Sequence, residues 1–469
     1  MDIRNDISES LQKAFLLYRE KSCLNDLTFK EVLNLLENRN QMFVEMGLLP
    51  GDRIIIQSTD DKHTTIINIL AALLYNYIPV ILPNKSELSF LEECSTRVGA
   101  KLILGLYANK TNEADSSIPI GYENTTLIIG TSGTTGTPKL IAHSDKSILT
   151  NINGIRSYIF LAEGENILVI RSPANLSVLT NEILLGIFSG CHIHTYEDVM
   201  SPLELVKSLS SLKINYLVSV PTFINFAIPY LERFRENLSQ LRYIKCVGEI
   251  VNIDTIDKVS EILPNVEVLN CYGLTETGPR LTWLSSKKDV IESYSVGKPI
   301  PGVEIRIVAE NNTINDSYEK GIVQISTDSM MIGYWGNPPF IDRWFSTLDW
   351  GWLNENGFLF VEGRYDDLII RGGINIPPAV IENVLLKHPQ VIDAAVGYKK
   401  ENYNIEIHAF VVVSKCCVER SDALLRWSRE QLSREYWIQR IYIVDDLQRN
   451  QGGKVNRKKL FNGVEYHEH

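Results

Sequence analysis

With 469 residues, 44% of them hydrophobic and 22% charged, the chain has the make-up of an ordinary folded protein of roughly three domain-sized units, or fewer large α/β ones. A net charge of −11 excludes a general binder of nucleic acid or of anionic membranes, so an anionic ligand must be handled by a local site. The seven cysteines (Cys23, Cys94, Cys191, Cys246, Cys271, Cys416, Cys417) are scattered without a CxxC pair, and Met1–Glu20 lacks an apolar targeting segment; reduced thiols in a cytoplasmic protein are expected.

Residues 8–20 and 27–46 carry apolar side chains at helical spacing, and Gly47 with Pro50-Gly51 ends the second run. Asp52–Gln57 reads as a strand. The apolar stretch Thr65–Leu82 approaches the length of a membrane span, but Asn68, Asn76 and Pro79 interrupt it, and it reads as a buried helix feeding a buried strand. A helix over Leu88–Val98 and a strand over Lys101–Leu104 follow, then a polar loop over Asn109–Ser117. Past residue 140 the alternation resumes: strands at Ile167–Ile170, Cys191–His194, Tyr216–Val220, Leu241–Val247 and Val266–Leu269, with helices at Asn181–Phe188 and Leu203–Leu212. Such alternation predicts βαβ units and a parallel-rich sheet. The last strands stop at Pro221, Gly248 and Asn270, and in open parallel sheets ligands sit beyond the carboxyl ends.

From Val296 shorter strands and tight turns predict a small β subdomain. After Gly363-Arg364 a compact α+β unit is expected, with helices at Ala379–Leu386 and Ser421–Leu432 and strands at Ala394–Tyr398, Ile407–Val413 and Arg440–Val444. The expected architecture is therefore α/β: a large N-terminal domain, residues 1–365, with the β subdomain, and a small mobile α+β domain, residues 366–469.

The chemistry is concentrated in a few stretches. Thr126–Lys139 is an apolar strand opening into a loop of glycines and hydroxyls, Thr131, Ser132, Gly133, Thr134, Thr135, Gly136 and Thr137, that closes on Lys139. Gly130, Gly133 and Gly136 would permit positive φ and close approach, and hydroxyls beside exposed N–H groups suit a phosphate. A Walker A loop needs Gly-Lys followed by Ser or Thr, whereas Pro138 precedes Lys139 and Leu140 follows, so the cradle is of another kind. Tyr272-Gly273-Leu-Thr275-Glu276 follows a strand and offers a carboxylate suited to Mg²⁺ beside phosphates. Asp349, in Thr347-Leu-Asp-Trp-Gly351, is placed to accept ribose hydroxyl protons. Gly363–Pro377 and the basic glycine turn Arg449–Leu460 complete the set.

The order and spacing of these stretches, from about Thr28 to Leu460, resemble those of the adenylate-forming superfamily of acyl-CoA synthetases, adenylation domains and firefly luciferase. The resemblance implies that Thr131–Gly136 and Lys139 hold the β- and γ-phosphates of ATP, Thr275 the α-phosphate, Glu276 Mg²⁺, and Tyr272 with Gly273 the adenine. Asp349 and Arg364 would hold the ribose. Lys454 would bridge the substrate carboxylate and the α-phosphate, Asp366 would be the hinge of a swinging C-terminal domain, and Gly372-Gly373 would line a tunnel for a pantetheine arm. The activity implied is an ATP-dependent acid–thiol ligase that releases pyrophosphate and passes the acyl group of a small carboxylic acid to CoA or a phosphopantetheinyl carrier protein. An amine acceptor, or an ATPase or kinase cleaving at the γ-phosphate, are the alternatives.

The acyl pocket is expected at Asn175, Val178, Thr222, Phe223 and Val247, with Gly248 and Glu249 near the adenine. Ser177 stands where amino-acid-activating relatives have an aspartate for the α-ammonium group, which disfavours an α-amino acid. Asn175 resembles the asparagine of aryl-acid-activating relatives and would bond a hydroxyl ortho to the carboxylate. Glu249 is not assigned a role.

Overall fold

The computed structural model describes residues 6–84, 87–105, 109–110, 117–131, 139–196, 200–249, 251, 253–288, 295–401, 404–414, 421–448, 455 and 457–461. The first helix, Ile7–Leu17, is capped by the Asp6 carboxylate. The second, Phe29–Glu45, starts in a capping box in which Thr28 and Glu31 satisfy each other's backbone N–H groups. The apolar run resolves as expected into a helix, Lys62–Leu74, and a strand, Ile78–Leu82, whose five residues are all buried. Among the described residues no helix is long and apolar enough to cross a membrane.

Two compact units divide the chain. One comprises Met1–Ile305, Ile325–Phe345 and Gly357–Leu359; the other comprises Arg306–Gln324, Ser346–Asn356 and Phe360–His469.

The first unit contains two large sheets. In the seven-stranded one the order is Gly333–Tyr334, Lys139–His143, Leu127–Thr131, Ile78–Leu82, Arg53–Gln57, Leu102–Leu104, Asn109–Lys110. Its centre is parallel and its edges are antiparallel, and the expected loop at Asn109 begins with a short strand paired to Leu102–Ile103. In the nine-stranded sheet six neighbouring strands run parallel: Ser22–Leu24, His192–Thr195, Asn166–Val169, Tyr216–Ser219, Tyr243–Cys246 and Glu267–Tyr272. Their parallel order aligns the carboxyl ends of the last three, at Val220–Thr222, Val247–Glu249 and Gly273–Glu276. Strand Glu267–Tyr272 runs past Asn270, which is a buried strand residue donating to the Ser295 carbonyl at 3.0 Å, so Asn270 does not end it.

Two helices depart from the sequence reading. Pro221 begins the helix Pro221–Phe234 at its first position, where a missing N–H costs nothing, and Pro229 lies inside it. The stretch Leu176–Ser189 is one helical run whose middle turn, Leu179–Leu184, is π-helical. A four-stranded sheet, Val303–Val308, Gly321–Thr327, Phe345–Leu353 and Leu359–Arg364, forms the expected β region. The second unit also carries a three-stranded sheet, Val391–Glu401, Asn404–Val413 and Arg440–Ile443, flanked by helices Pro378–Leu385 and Ser421–Gln431 around its own core.

Candidate active site

The expected phosphate loop is the connection of a hairpin. Thr131 and Lys139 are cross-strand partners at its neck; Ser132, Gly133, Thr134, Thr135, Gly136 and Thr137 lie outside the described residues. Gly130 does not need positive φ. It is an extended strand residue paired with Leu140, and a Cβ there would come within 2.4 Å of Leu82 Cδ2, so the reason for glycine is packing. Lys139 is exposed and holds its ammonium 5.1 Å from the centre of the Tyr334 ring.

Tyr334 connects that lysine to the second motif. Edge strand Gly333–Tyr334 pairs with Ile141–Ala142, and the Tyr334 hydroxyl donates to Glu276 Oε1 at 3.0 Å while the Met331 amide donates to the Glu276 carbonyl at 2.8 Å. Lys139, Tyr334 and Glu276 therefore form one row of cation, ring and carboxylate. Tyr334 was not anticipated, because it lies in a segment with no motif of its own. His143, four residues beyond Lys139, was missed for the same reason: it is 1% exposed, meets Ser147 Oγ at 3.2 Å and makes a polar contact with the Thr275 backbone.

The turn after Tyr272 is closed by backbone. Leu281 N donates to the Tyr272 carbonyl at 2.9 Å, Gly278 takes a φ of +84°, and a Cβ on Gly273 would meet the Pro279 carbonyl oxygen at 2.4 Å. Tyr272, Gly273, Thr275 and Glu276 are all half-buried on this turn. At the neighbouring strand ends, Glu249 Oε2 accepts from the Thr222 hydroxyl at 2.6 Å and from its amide at 3.3 Å. This carboxylate sits at the start of helix Pro221–Phe234, where the free N–H groups and helix dipole favour negative charge, so Glu249 has a structural partner. Gly248 is exposed at φ +85°, and Phe223 is half-buried against the core. Val178 and Val247 belong to the main hydrophobic core, whereas Asn175 is exposed and its side-chain amide donates a long 3.4 Å bond to the Ser172 carbonyl.

In the second unit Asp349 is 6% exposed on strand Phe345–Leu353. Arg364 Nη1 donates to Asp349 Oδ1 at 3.3 Å and to the Thr347 carbonyl at 2.9 Å, so the expected ribose pair is in contact. Leu348 between them takes a φ of +60°, a conformation that a branched side chain adopts only under constraint. Asp366 lies in the short 3₁₀ turn Tyr365–Asp367, 3.8 Å from Arg364, an exposed pair that adds little stability. Gly372 and Gly373, at φ +60° and +80°, form the two-residue turn of hairpin Ile369–Ile376, the geometry of a type I′ turn. Lys454 lies outside the described residues. Arg457, three residues later in sequence, is held by Glu382 and by the Val396 carbonyl at 2.9 Å.

The donor set fits a magnesium nucleotide better than a metal held by protein alone. Among the described residues no group of three His, Cys, Asp or Glu side chains is placed to hold a metal. The Glu276 carboxylate gives one oxygen to Tyr334, and a carboxylate has a second for a cation that keeps waters and phosphate oxygens as its remaining ligands.

Residues 106–335 match the AMP-binding enzyme family. The chain is 27% identical over 491 aligned positions to the 2-succinylbenzoate–CoA ligase of Geobacillus kaustophilus, with 96% of each chain covered. It superposes on the o-succinylbenzoate CoA synthetase of Bacillus subtilis in complex with its acyl-adenylate intermediate at a TM-score of 0.84, with 22% identity over 97% of this chain and 98% of that one. The same B. subtilis protein in complex with ATP and magnesium ion gives 0.84 and 22% over 96% and 98%. At that identity the structural likeness establishes the fold.

Proposed function

We propose that this chain, which belongs to the adenylate-forming superfamily of AMP-binding enzymes, ligates a small carboxylic acid to the thiol of CoA in two steps, using ATP. In the first step a carboxylate oxygen attacks the α-phosphorus, the bond to the bridging oxygen breaks, and pyrophosphate leaves from an acyl-adenylate. In the second the thiolate attacks the acyl carbon and AMP leaves. The single observation that carries the reading is the row of Lys139, Tyr334 and Glu276, which gathers the end of the glycine-rich loop and the Thr275-Glu276 turn at one place in the first unit.

Bringing an anionic carboxylate onto a phosphate is opposed by charge repulsion, and preorganised cations in a site shielded from water offset it. Lys139 supplies one such charge at the neck of the phosphate loop, and Thr275 offers a hydroxyl to the α-phosphate. Magnesium, when bound, neutralises phosphate charge, and Glu276 is the residue to hold it. Asp349, kept in place by Arg364, accepts from the ribose hydroxyls; Tyr272 and Gly273 face the base. Lys454 brings an ammonium to the reacting oxygens in the first step, and rotation of the C-terminal domain about Asp366 withdraws it for the second. Gly372-Gly373 then lies along the pantetheine arm. A carrier protein bearing the same arm, or an amine acceptor, would use the same adenylate.

The test is exchange of labelled pyrophosphate into ATP over a panel of acids. Acid-dependent exchange with AMP as the co-product of thioester formation is expected, and Lys454→Ala should cut adenylation by roughly 10²–10³. Release of ADP and orthophosphate, or exchange with no acid tried, would overturn the reading.

A further inference from the structure

The turn that carries Thr275 and Glu276 connects two strands of a hairpin, and the pairing of Tyr272 with Thr282 fixes its neck but not its tip. The tip is held through three of its own carbonyls, each accepting from a residue outside the hairpin. The Glu276 carbonyl accepts from the Met331 amide at 2.8 Å, the Thr277 carbonyl from the Ser329 hydroxyl at 2.8 Å, and the Arg280 carbonyl from Asn151 Nδ2 at 2.7 Å. The first donor is backbone. Asn151 and Ser329 donate from side chains, and both are 1% exposed.

Gly278 shows how closely these two side chains approach. Its φ of +84° already favours glycine, and a Cβ there would lie 2.7 Å from both Asn151 Nδ2 and Ser329 Oγ. The two therefore converge on one point of the tip, and they come from different elements. Asn151 belongs to helix Asp145–Arg156, whose cap, Ser144, follows directly on strand Lys139–His143, the strand that leaves the expected phosphate loop. Ser329 stands two residues past strand Gly321–Thr327 and five before Tyr334, and its hydroxyl meets that of Thr327 at 2.9 Å.

Packing alone would not select Asn151. It lies on the inward face of its helix with Ile148, Ile152 and Ile155, where an apolar residue is the ordinary occupant. Among the described residues its Oδ1 is buried without a hydrogen-bond partner, a cost that an apolar residue would avoid. What offsets that cost is the bond to the turn.

We infer that Asn151 and Ser329 are positioning residues for adenylation: by holding the carbonyls on either side of Gly278 they set Thr275 and Glu276 against the α-phosphate and its magnesium. This rests on the adenylation reading above. Because the helix of Asn151 continues from the strand of Lys139, one rigid corner keeps the loop and the turn in register. A misplacement of about 1 Å in a reacting group costs about 10²-fold, so two neutral bonds weigh more on rate here than on stability.

The experiment uses N151A and S329A, which each remove one donor, N151D, which keeps the shape without the donor, and S329T, which keeps the hydroxyl. Pyrophosphate exchange, thioester formation from the preformed acyl-adenylate of the best acid, calorimetric binding of magnesium-ATP and thermal melting are measured on each. N151A, N151D and S329A are expected to lower kcat for exchange by about 10–100-fold, with KM for the acid and the rate of thioester formation each within about threefold of the parent. S329T should recover most of the loss. Half-reactions that fall together, or exchange that holds while the melting temperature drops, would overturn the inference and mark the two bonds as support for the fold alone. If the Asn151 variants do not fold, S329A and S329T decide by the same measures. If no acid drives exchange in the parent, the adenylation reading fails instead, and calorimetry decides the clamp by itself. Magnesium-ATP binding about tenfold weaker in S329A and recovered in S329T supports it, and affinities within about twofold of the parent overturn it.

Discussion

Glu276 accepts the Tyr334 hydroxyl at 3.0 Å although the two residues are 58 positions apart, and the Tyr334 ring lies against the Lys139 ammonium. The tyrosine thus orients the carboxylate without needing to touch a ligand. Tyr334→Phe keeps the ring and removes the bond, so an increase of about tenfold in KM for magnesium-ATP is expected, with kcat moved less. Titration with magnesium at fixed ATP checks this; a KM within twofold of the parent at every magnesium concentration would show that Glu276 is held adequately by its backbone.

Gly273 is required because a Cβ there meets backbone atoms, the Pro279 carbonyl oxygen at 2.4 Å and Arg280 N at 2.8 Å, which cannot rotate away. Gly273→Ala must open the turn that carries Thr275 and Glu276. A loss of about 10²-fold in adenylation and about 1–3 kcal/mol in stability is expected. Gly302→Ala is the control: its φ is +82° but the Cβ would enter open space, so only the local backbone cost of about 1–2 kcal/mol applies. Equal behaviour of the two variants in the exchange assay would count against the steric account.

Much of this was legible from local pattern. Helix Leu88–Val98 and the helix–strand unit through Leu82 follow from apolar spacing and from the capping chemistry around them, and of the motif stretches Gly273–Glu276 and Gly372-Gly373 fall on turns. What escaped was what only tertiary contact decides. Helix Pro221–Phe234 was hidden because Pro221 reads equally as a strand end, and Pro229 suppresses the helical signal inside it. Glu249 had no evident role until the Thr222 amide was beside it. Arg171 pairs with Glu182 on a π-helical turn, which has no sequence signature of its own.

Glu249 offers a way to separate a cap from a ligand contact. Glu249→Ala removes the acceptor for the Thr222 amide and should cost about 0.5–2 kcal/mol in denaturant unfolding, as lost helix caps do. Glu249→Gln keeps an acceptor and should recover most of that loss. A rise above tenfold in KM for ATP in Glu249→Gln, with stability retained, would instead assign the carboxylate to nucleotide binding.

His143 predicts how stability responds to acid. Burial pushes its pKa from the ordinary value near 6.5 down to about 4, and the contact with Thr275 offsets this only in part. The folded protein therefore holds the ring neutral while the unfolded chain takes up a proton below pH 6.5, so stability is complete above that value and is lost as pH falls toward 4. About 2.5 pH units at ~1.4 kcal/mol each gives on the order of 3 kcal/mol from this one residue. His194 has a pKa lowered to about 4, by burial first and His192 second, and acts in the same direction. His143→Asn removes one titrating group, so its unfolding free energy should fall less steeply between pH 6.5 and 4, even if its stability at pH 7.5 is lower. Urea unfolding at several pH values measures both slopes, and parallel curves for the variant and the parent would show that the ring is protonated in the fold.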